Sequence, residues 1–209
     1  SVALVVGSGS VTDAENSNDD VLVDVYAKTL RMQAGTSVGE GIDHLETEVV
    51  TVAALATNGG IYLTESNSVS IGSVADVQVN RVAVEATTSS TPSTPAAALA
   101  GLVIATNAYS AVVSNLTGTL SVDSIVDLNG ASNLLLKSAG ALTLNQLVNT
   151  DSGNVSLVAT GSSGTLTMAV AGDVTTSLTA TIDIQANAIS MADGATVTAG
   201  SGNVRVVST

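Results

Sequence analysis

The sequence predicts an all-β fold, a parallel β-helix (β-solenoid) of roughly nine coils. A turn-plus-strand phrase, SGNVSLVAT at residues 152–160, returns as SGNVRVVST at residues 201–209. Alternation with period two runs through most of the chain, which is typical of strands. Hydrophobic residues make up 45% of the chain but aromatic residues only 1%. A narrow core of stacked aliphatic side chains fits this composition better than the broad core of a globule.

Each predicted strand is a short alternating run bounded by turn residues. Such turn signals include the glycine-containing pairs Asn129-Gly130, Ser152-Gly153 and Asp193-Gly194. In the first half of the chain the predicted strands are 2–6, 21–26, 29–33, 49–53, 61–64, 68–71, 76–79 and 81–86. In the second half they are 118–122, 124–128, 133–137, 141–144, 155–159, 165–169, 173–177, 181–185, 188–192, 196–199 and 204–207.

The spacing of three asparagines favours coils over other β architectures. Asn133, Asn154 and Asn203 open similar strands, and two coils of somewhat over 20 residues cover the longer interval. The alternative is a β-sandwich, for which an immunoglobulin-like fold would supply a buried Trp. The chain contains no Trp.

The middle of the chain interrupts this pattern. Residues 87–95 read TTSSTPSTP, a composition typical of an exposed loop that could carry O-linked glycan. For the Ala-rich run that follows we expect a loop with partial strand. We therefore divide one continuous domain into N-terminal coils (1–86), an insertion or irregular coil (87–114) and C-terminal coils (115–209).

Composition and charge exclude several classes of partner. The formal net charge is −13, with five Lys and Arg, so the basic surface of a nucleic-acid-binding protein is missing. Residues 96–114 are uncharged, but polar residues interrupt the run and alanine dilutes it, so we expect no membrane insertion. The acidic, Thr- and Ser-rich, Lys-poor composition fits an extracellular or cell-surface protein. Cysteine is absent, which excludes disulfides and thiol chemistry.

The segment from Ala34 to Gly72 carries a family resemblance. It contains AGTSVG (34–39), LETEV (45–49), NGGIYLTE (58–65) and VSIG (69–72). This pattern resembles the β-solenoid repeats of very large bacterial surface proteins related to filamentous haemagglutinin. The resemblance implies a right-handed parallel β-helix and a role in adhesion, cell–cell contact or an external fibre. It brings no catalytic or ligand motif, so no functional residue is transferred.

Few residues suggest chemistry. His44, the one histidine, lies beside Asp43 and Glu46, but zinc sites need further His or Cys ligands, so a solvated loop histidine is the favoured interpretation. The acidic run from Asp13 to Asp20 is the best candidate for a cation site, with calcium as the ion. A solvated acidic loop is favoured there too. We predict no catalytic residue, no cofactor and no enzymatic activity.

Two further observations bear on function. The chain has two glycosylation sequons, at Asn115 and Asn154, which is close to the number expected by chance.

Both ends of the chain begin or finish in a strand without a polar cap, so we expect them to pair with another coil. The chain is then a structural unit, one of a tandem array or a subunit that stacks on itself into a fibre, sheath or adhesin stalk, with a host or neighbouring cell as a further partner. The alternatives are a glycan-binding adhesive module and a β-helical enzyme acting on polysaccharide.

Overall fold

The protein forms a parallel β-solenoid. A computed structural model describes residues 1–14, 22–92, 97–106 and 108–208. Within these ranges the chain contains strands and turns but no helix, and the strands stack in about eight turns. The predicted all-β solenoid is confirmed, and the β-sandwich alternative is wrong. The turn count is close to the predicted nine.

Most strands are two to five residues long, as the frequent turn residues dictate. In chain order the described strands are β1 (Val2–Val6), β2 (Val25–Ala34), β3 (Leu45–Ala56), β4 (Ile61–Glu65), β5 (Val69–Ile71), β6 (Ser73–Val74), β7 (Gln78–Val82), β8 (Thr88–Pro92), β9 (Leu99–Ala100), β10 (Leu102–Ile104), β11 (Ala111–Asn115), β12 (Leu120–Val122), β13 (Val126–Leu128), β14 (Leu134–Ser138), β15 (Leu142–Leu144), β16 (Val148–Asn149), β17 (Val155–Ala159), β18 (Thr165–Met168), β19 (Val174–Thr176), β20 (Ile182–Ala186), β21 (Ala188–Met191), β22 (Val197–Ala199) and β23 (Val204–Ser208).

Three parallel faces surround the core. Face 1 consists of β1, the second halves of β2 and β3, and then β10, β13, β16, β19 and β22. Face 2 consists of β4, β11, β14, β17, β20 and β23, and Val11 and Val38 extend it as single bridges. Face 3 consists of β5, β12, β15, β18 and β21. Parallel strands lie about 4.8 Å apart, so eight turns span about 38 Å.

The core is a set of aliphatic columns, one residue per coil. Because side chains alternate across a strand, the inward positions of aligned strands lie directly above one another. The longest column on face 1 contains Leu4, Met32, Ala54, Leu102, Val126, Val148, Val174 and Val197. Its members from Met32 to Val174 are fully buried. Small and medium aliphatic residues suffice because each column is only one side chain wide.

The repeated phrase is two coils apart. Val155 lies beside Ile182 in the next coil, and Ile182 lies beside Val204 in the one after. These steps of 27 and 22 residues make up the 49-residue displacement of the phrase, as the sequence predicts.

Side-chain hydrogen bonds align the coils at a corner. The Oδ1 atom of Asn133 accepts hydrogen bonds from the backbone N and Nδ2 of Asn154, at 2.9 and 3.0 Å. The Oδ1 atom of Asn154 in turn accepts from the backbone N and Oγ1 of Thr181, at 2.9 and 3.0 Å. Asn154 is therefore a rung of a ladder at this corner, which satisfies backbone donors between strands.

An antiparallel insertion separates β5 from β10. Its root pairs β6 with β9, and its outer part is the hairpin of β7 and β8. The root covers the outer side of face 1, where the buried Arg31 donates from Nη1 to the carbonyl oxygen of Ala97 at 2.8 Å.

Two local predictions in this region are wrong. The strand predicted at 81–86 continues β7 only to Val82 and then turns back, and part of the loop predicted at 87–95 is the strand β8. Residues 93–95 of that loop lie outside the described residues. The regular coil resumes at Leu102, inside the Ala-rich run.

Candidate functional site

The C-terminal edge of the solenoid exposes residues that are buried in every preceding coil. On face 2, Leu157 is 1% and Ile184 2% exposed, whereas Val206, the next member of their column, is 57% exposed. On face 3, Met168 is buried and Met191 above it is 46% exposed. Among the described strands, β21, β22 and β23 pair on one side only, with β18, β19 and β20. This edge thus combines unpaired backbone groups with apolar side chains.

Three carboxylates lie close together near the N-terminal edge of the solenoid. Oxygens of Asp13, Asp24 and Glu46 lie within 4.8 Å of one another, and Glu46 is 3% exposed. The backbone N of Glu46 donates to Oδ2 of Asp24 at 3.1 Å. Asp13 belongs to the predicted acidic run, whereas residues 15–20 of that run lie outside the described residues. Calcium takes six to eight oxygen ligands, so three carboxylates would supply part of a coordination shell.

His44 is a half-buried residue that contacts face 2. Its Nδ1 lies 2.9 Å from Oγ1 of Thr64, and its ring stacks on Tyr62 with centroids 6.0 Å apart. Asp43 lies in a turn in which its backbone exchanges hydrogen bonds with Glu40. In the described part of the chain, His44 joins no group of three metal-ligating side chains.

Glu65 is a buried carboxyl group that the sequence analysis missed. It is 1% exposed, and its oxygens accept hydrogen bonds from Oγ1 of Thr47 at 2.7 Å and from the backbone N of Val49 at 3.0 Å. Burial raises the pKa of Glu65 from 4.5 to about 7, although these hydrogen bonds oppose the rise. Period two offered the signal, since Glu65 follows Ile61 and Leu63 on the inward side of β4.

A carboxylate pair suited to acid–base catalysis would be expected in a polysaccharide-acting enzyme. Asp123 and Asp127 line one outer groove. Burial alone would raise the pKa of Asp123, but hydrogen bonds from Ser70, Asn145 and Ser121 outweigh it and hold that pKa below its usual range. A carboxyl group that is ionised at neutral pH cannot act there as a general acid. The contacts of Asp123 are those of a ladder between coils.

The two sequons differ in accessibility. Asn115 is 1% exposed, and its Nδ2 donates to the carbonyl oxygens of Asn67 and Thr117. Asn154 is exposed, but its amide belongs to the corner ladder. Neither amide is a free acceptor for glycan in the folded chain.

The uncharged stretch at 96–114 contributes strands β9 and β10 and most of β11. Within the described ranges, the structure holds no helix with the length and apolar character that crossing a bilayer requires.

Comparison with known proteins finds no matching protein-family model, no matching curated protein and no matching solved structure. The resemblance to filamentous-haemagglutinin repeats therefore remains a prediction from the sequence. The solenoid itself rests on the strand pairing described above.

Proposed function

We propose that this chain is a structural unit of the cell surface, a β-solenoid segment that extends by adding coils at its edges. The resulting assembly is a fibre, a sheath or the stalk of an adhesin. The coil that covers the C-terminal edge belongs either to a second copy of the chain or to further sequence in the same polypeptide.

The observation that carries this proposal is the C-terminal edge. Met191, Val204 and Val206 occupy inward positions, yet each is between 44 and 57% exposed. Burying the rest of three such side chains would contribute roughly 2–4 kcal/mol, in addition to the hydrogen bonds of three strands. A second copy that continues the parallel pairing of the solenoid adds head to tail. A head-to-tail contact that does not close on itself generates a filament.

The amino-acid composition supports a location outside the cell. The chain is acidic, poor in Lys and free of Cys, as expected of an extracellular bacterial β-protein. With a net charge of −13, two copies repel each other at low ionic strength, and salt screens this repulsion. Assembly should therefore increase with salt.

Light scattering and electron microscopy of the purified chain test the proposal. We expect linear particles whose lengths rise in steps of about 38 Å, the span of eight coils. Val206→Lys places a charge on the inward side of the edge strand and should leave single units. Val207→Lys is the matched control, because residue 207 lies on the outward side of the same strand. Single units of the unmodified chain at high concentration and high salt, or equal behaviour of the two variants, would contradict self-association.

A further inference from the structure

Two of the three tyrosines, Tyr62 and Tyr109, line one groove on the outer surface, which we call the tyrosine groove. The chain has three tyrosines and no Trp or Phe. Tyr62 and Tyr109 both line this groove, and His44, the one histidine, stacks on Tyr62. Tyr109 is 38% exposed. The core of this solenoid is aliphatic, so core packing does not explain why two of three aromatic residues meet here.

Glycines form the wall against which the Tyr62 ring lies. A Cβ on Gly60 would approach Cε2 of this ring to 2.4 Å, and a Cβ on Gly41 would lie 3.6 Å from its Cε1 and Cζ. Gly39 has φ of +67°, and a Cβ there would approach the Tyr62 carbonyl oxygen to 2.2 Å. Larger residues at Gly60 and Gly39 would displace the ring or its strand. The glycines therefore hold Tyr62 in place and leave backbone as the floor of the groove.

Polar side chains complete the groove. The hydroxyl groups of Ser10 and Thr36 are 2.9 Å apart, and Ser37 donates from Oγ to Oγ of Ser10 at 2.9 Å. Asn58 and Glu40 are exposed on the same surface. Hydroxyl, amide and carboxylate groups offer both donors and acceptors, as the hydroxyl groups of a sugar require.

The dimensions fit a short oligosaccharide. The lining residues come from four successive coils, whose first and last strands lie about 14 Å apart at 4.8 Å per step. The groove has a volume of about 350 Å³, within the range of small-molecule sites.

The negative charge of the groove favours a neutral sugar over an acidic one. The described residues that line the groove include Glu40 but no Lys or Arg, and the whole chain carries −13. A uronic or sialic acid would meet repulsion without a cationic partner.

We propose that this groove binds a neutral glycan, with a sugar ring against the exposed ring of Tyr109 and its hydroxyl groups bonded to the Ser10–Thr36 pair, Asn58 and Glu40. Aromatic faces carry partial negative charge and attract the polarised C–H groups of a sugar ring. This site is separate from the C-terminal edge, so its function is independent of coil addition.

Tyrosine fluorescence offers a direct assay, because no Trp masks the emission and two of the three tyrosines line the groove. The probes are neutral tetrasaccharides of the malto, cello, manno and N-acetylated chito series, with tetragalacturonate as the charged comparison. We expect at least one neutral series to change the emission and to bind in calorimetry with Kd below about 1 mM. Tetragalacturonate should bind at least tenfold more weakly.

Variants assign the binding to the groove. Tyr109→Ala should weaken binding at least tenfold, whereas Tyr109→Phe, which keeps the ring, should stay within about threefold. Tyr26→Ala is the matched control, since Tyr26 is 66% exposed on β2 and does not line the groove. Unchanged circular dichroism and particle length in each variant separate loss of binding from loss of fold or of coil addition.

Three results would overturn the proposal. They are no binding of any neutral series at about 10 mM, equally tight binding of tetragalacturonate, and equal losses in Tyr109→Ala and Tyr26→Ala.

Discussion

Glu65→Gln should abolish a pH dependence of stability that the unmodified protein shows between pH 4.5 and about 7. The carboxyl group of Glu65 is 1% exposed, and burial raises its pKa from 4.5 to about 7. In this window the unfolded chain has lost the proton and the folded chain retains it. Stability from this group is therefore fully present below pH 4.5 and is lost as the pH rises to about 7.

The size of the effect follows from the difference between the two pKa values. Each pH unit between them corresponds to about 1.4 kcal/mol, so the free energy of unfolding should fall by about 3 kcal/mol across the window. Glutamine has no charge to lose, and its Oε1 can still accept from the backbone N of Val49, while its Nε2 takes the place of the oxygen that accepts from Oγ1 of Thr47. Its amide N–H groups cost some stability, but that cost does not vary with pH.

Urea unfolding of both proteins, followed by circular dichroism from pH 4.5 to 8.5, measures the difference. Subtracting the variant removes the contributions of the other carboxyl groups, including Asp123, Asp173 and Asp183, whose pKa values are lowered and which titrate below this window. Glu40→Gln, at an exposed position, should leave the pH profile unchanged. A difference between Glu65→Gln and unmodified protein that stays constant from pH 4.5 to 8.5 would refute the reasoning.

Two predictions concern the contacts between coils. Asn154→Ala removes the acceptor for the backbone N and hydroxyl of Thr181, so urea unfolding should show a loss of about 1–2 kcal/mol. Asn154→Asp keeps that acceptor but replaces the Nδ2 donor to Oδ1 of Asn133 with a carboxylate oxygen, so it should be destabilised as well. No loss of stability in Asn154→Ala would argue against the ladder. Gly153→Ala should destabilise the protein by about 3 kcal/mol or more, because the new Cβ would lie 1.9 Å from the carbonyl oxygen of Ser132. Gly7→Ala, where no atom lies within 4 Å of the new Cβ, should change the melting temperature little.

The regular coils could be predicted because the sequence patterns that specify them lie within a few neighbouring residues. Period two assigns inward and outward positions, and glycine-containing turns mark the corners, so strands such as Val2–Val6 and Val155–Ala159 have the predicted bounds. The repeat could also be predicted from a local pattern. The phrase at 152–160 recurs at 201–209, and in the structure the strands of the two copies lie two coils apart.

The sequence predicts an insertion or irregular coil at 87–114, but the strands in this region could not be predicted from the same signals. The strand β8 consists of Thr, Ser and Pro, so it has no alternation of apolar and polar residues. The hairpin turn contains no glycine; Ala86 takes the left-handed conformation there, with φ of 57°. The strand β10 follows Gly101, which has φ of 73°, but the Ala-rich run before it has no alternation of apolar and polar residues, although Leu102 and Ile104 are fully buried in the core. Tertiary packing, and not local propensity, places these strands.

The insertion also explains why the tyrosine groove is invisible in the sequence. Tyr62 and Tyr109 are 47 residues apart, a separation that elsewhere in this chain corresponds to two coils, or about 10 Å along the solenoid. Because residues 73–100 leave the coil and return to it, Ile61 pairs directly with Ala111 and the two segments are neighbours about 4.8 Å apart. The antiparallel insertion thus changes which coils are adjacent. A repeat count from the sequence places the two rings in separate coils with a coil between them, whereas the structure brings both into one groove.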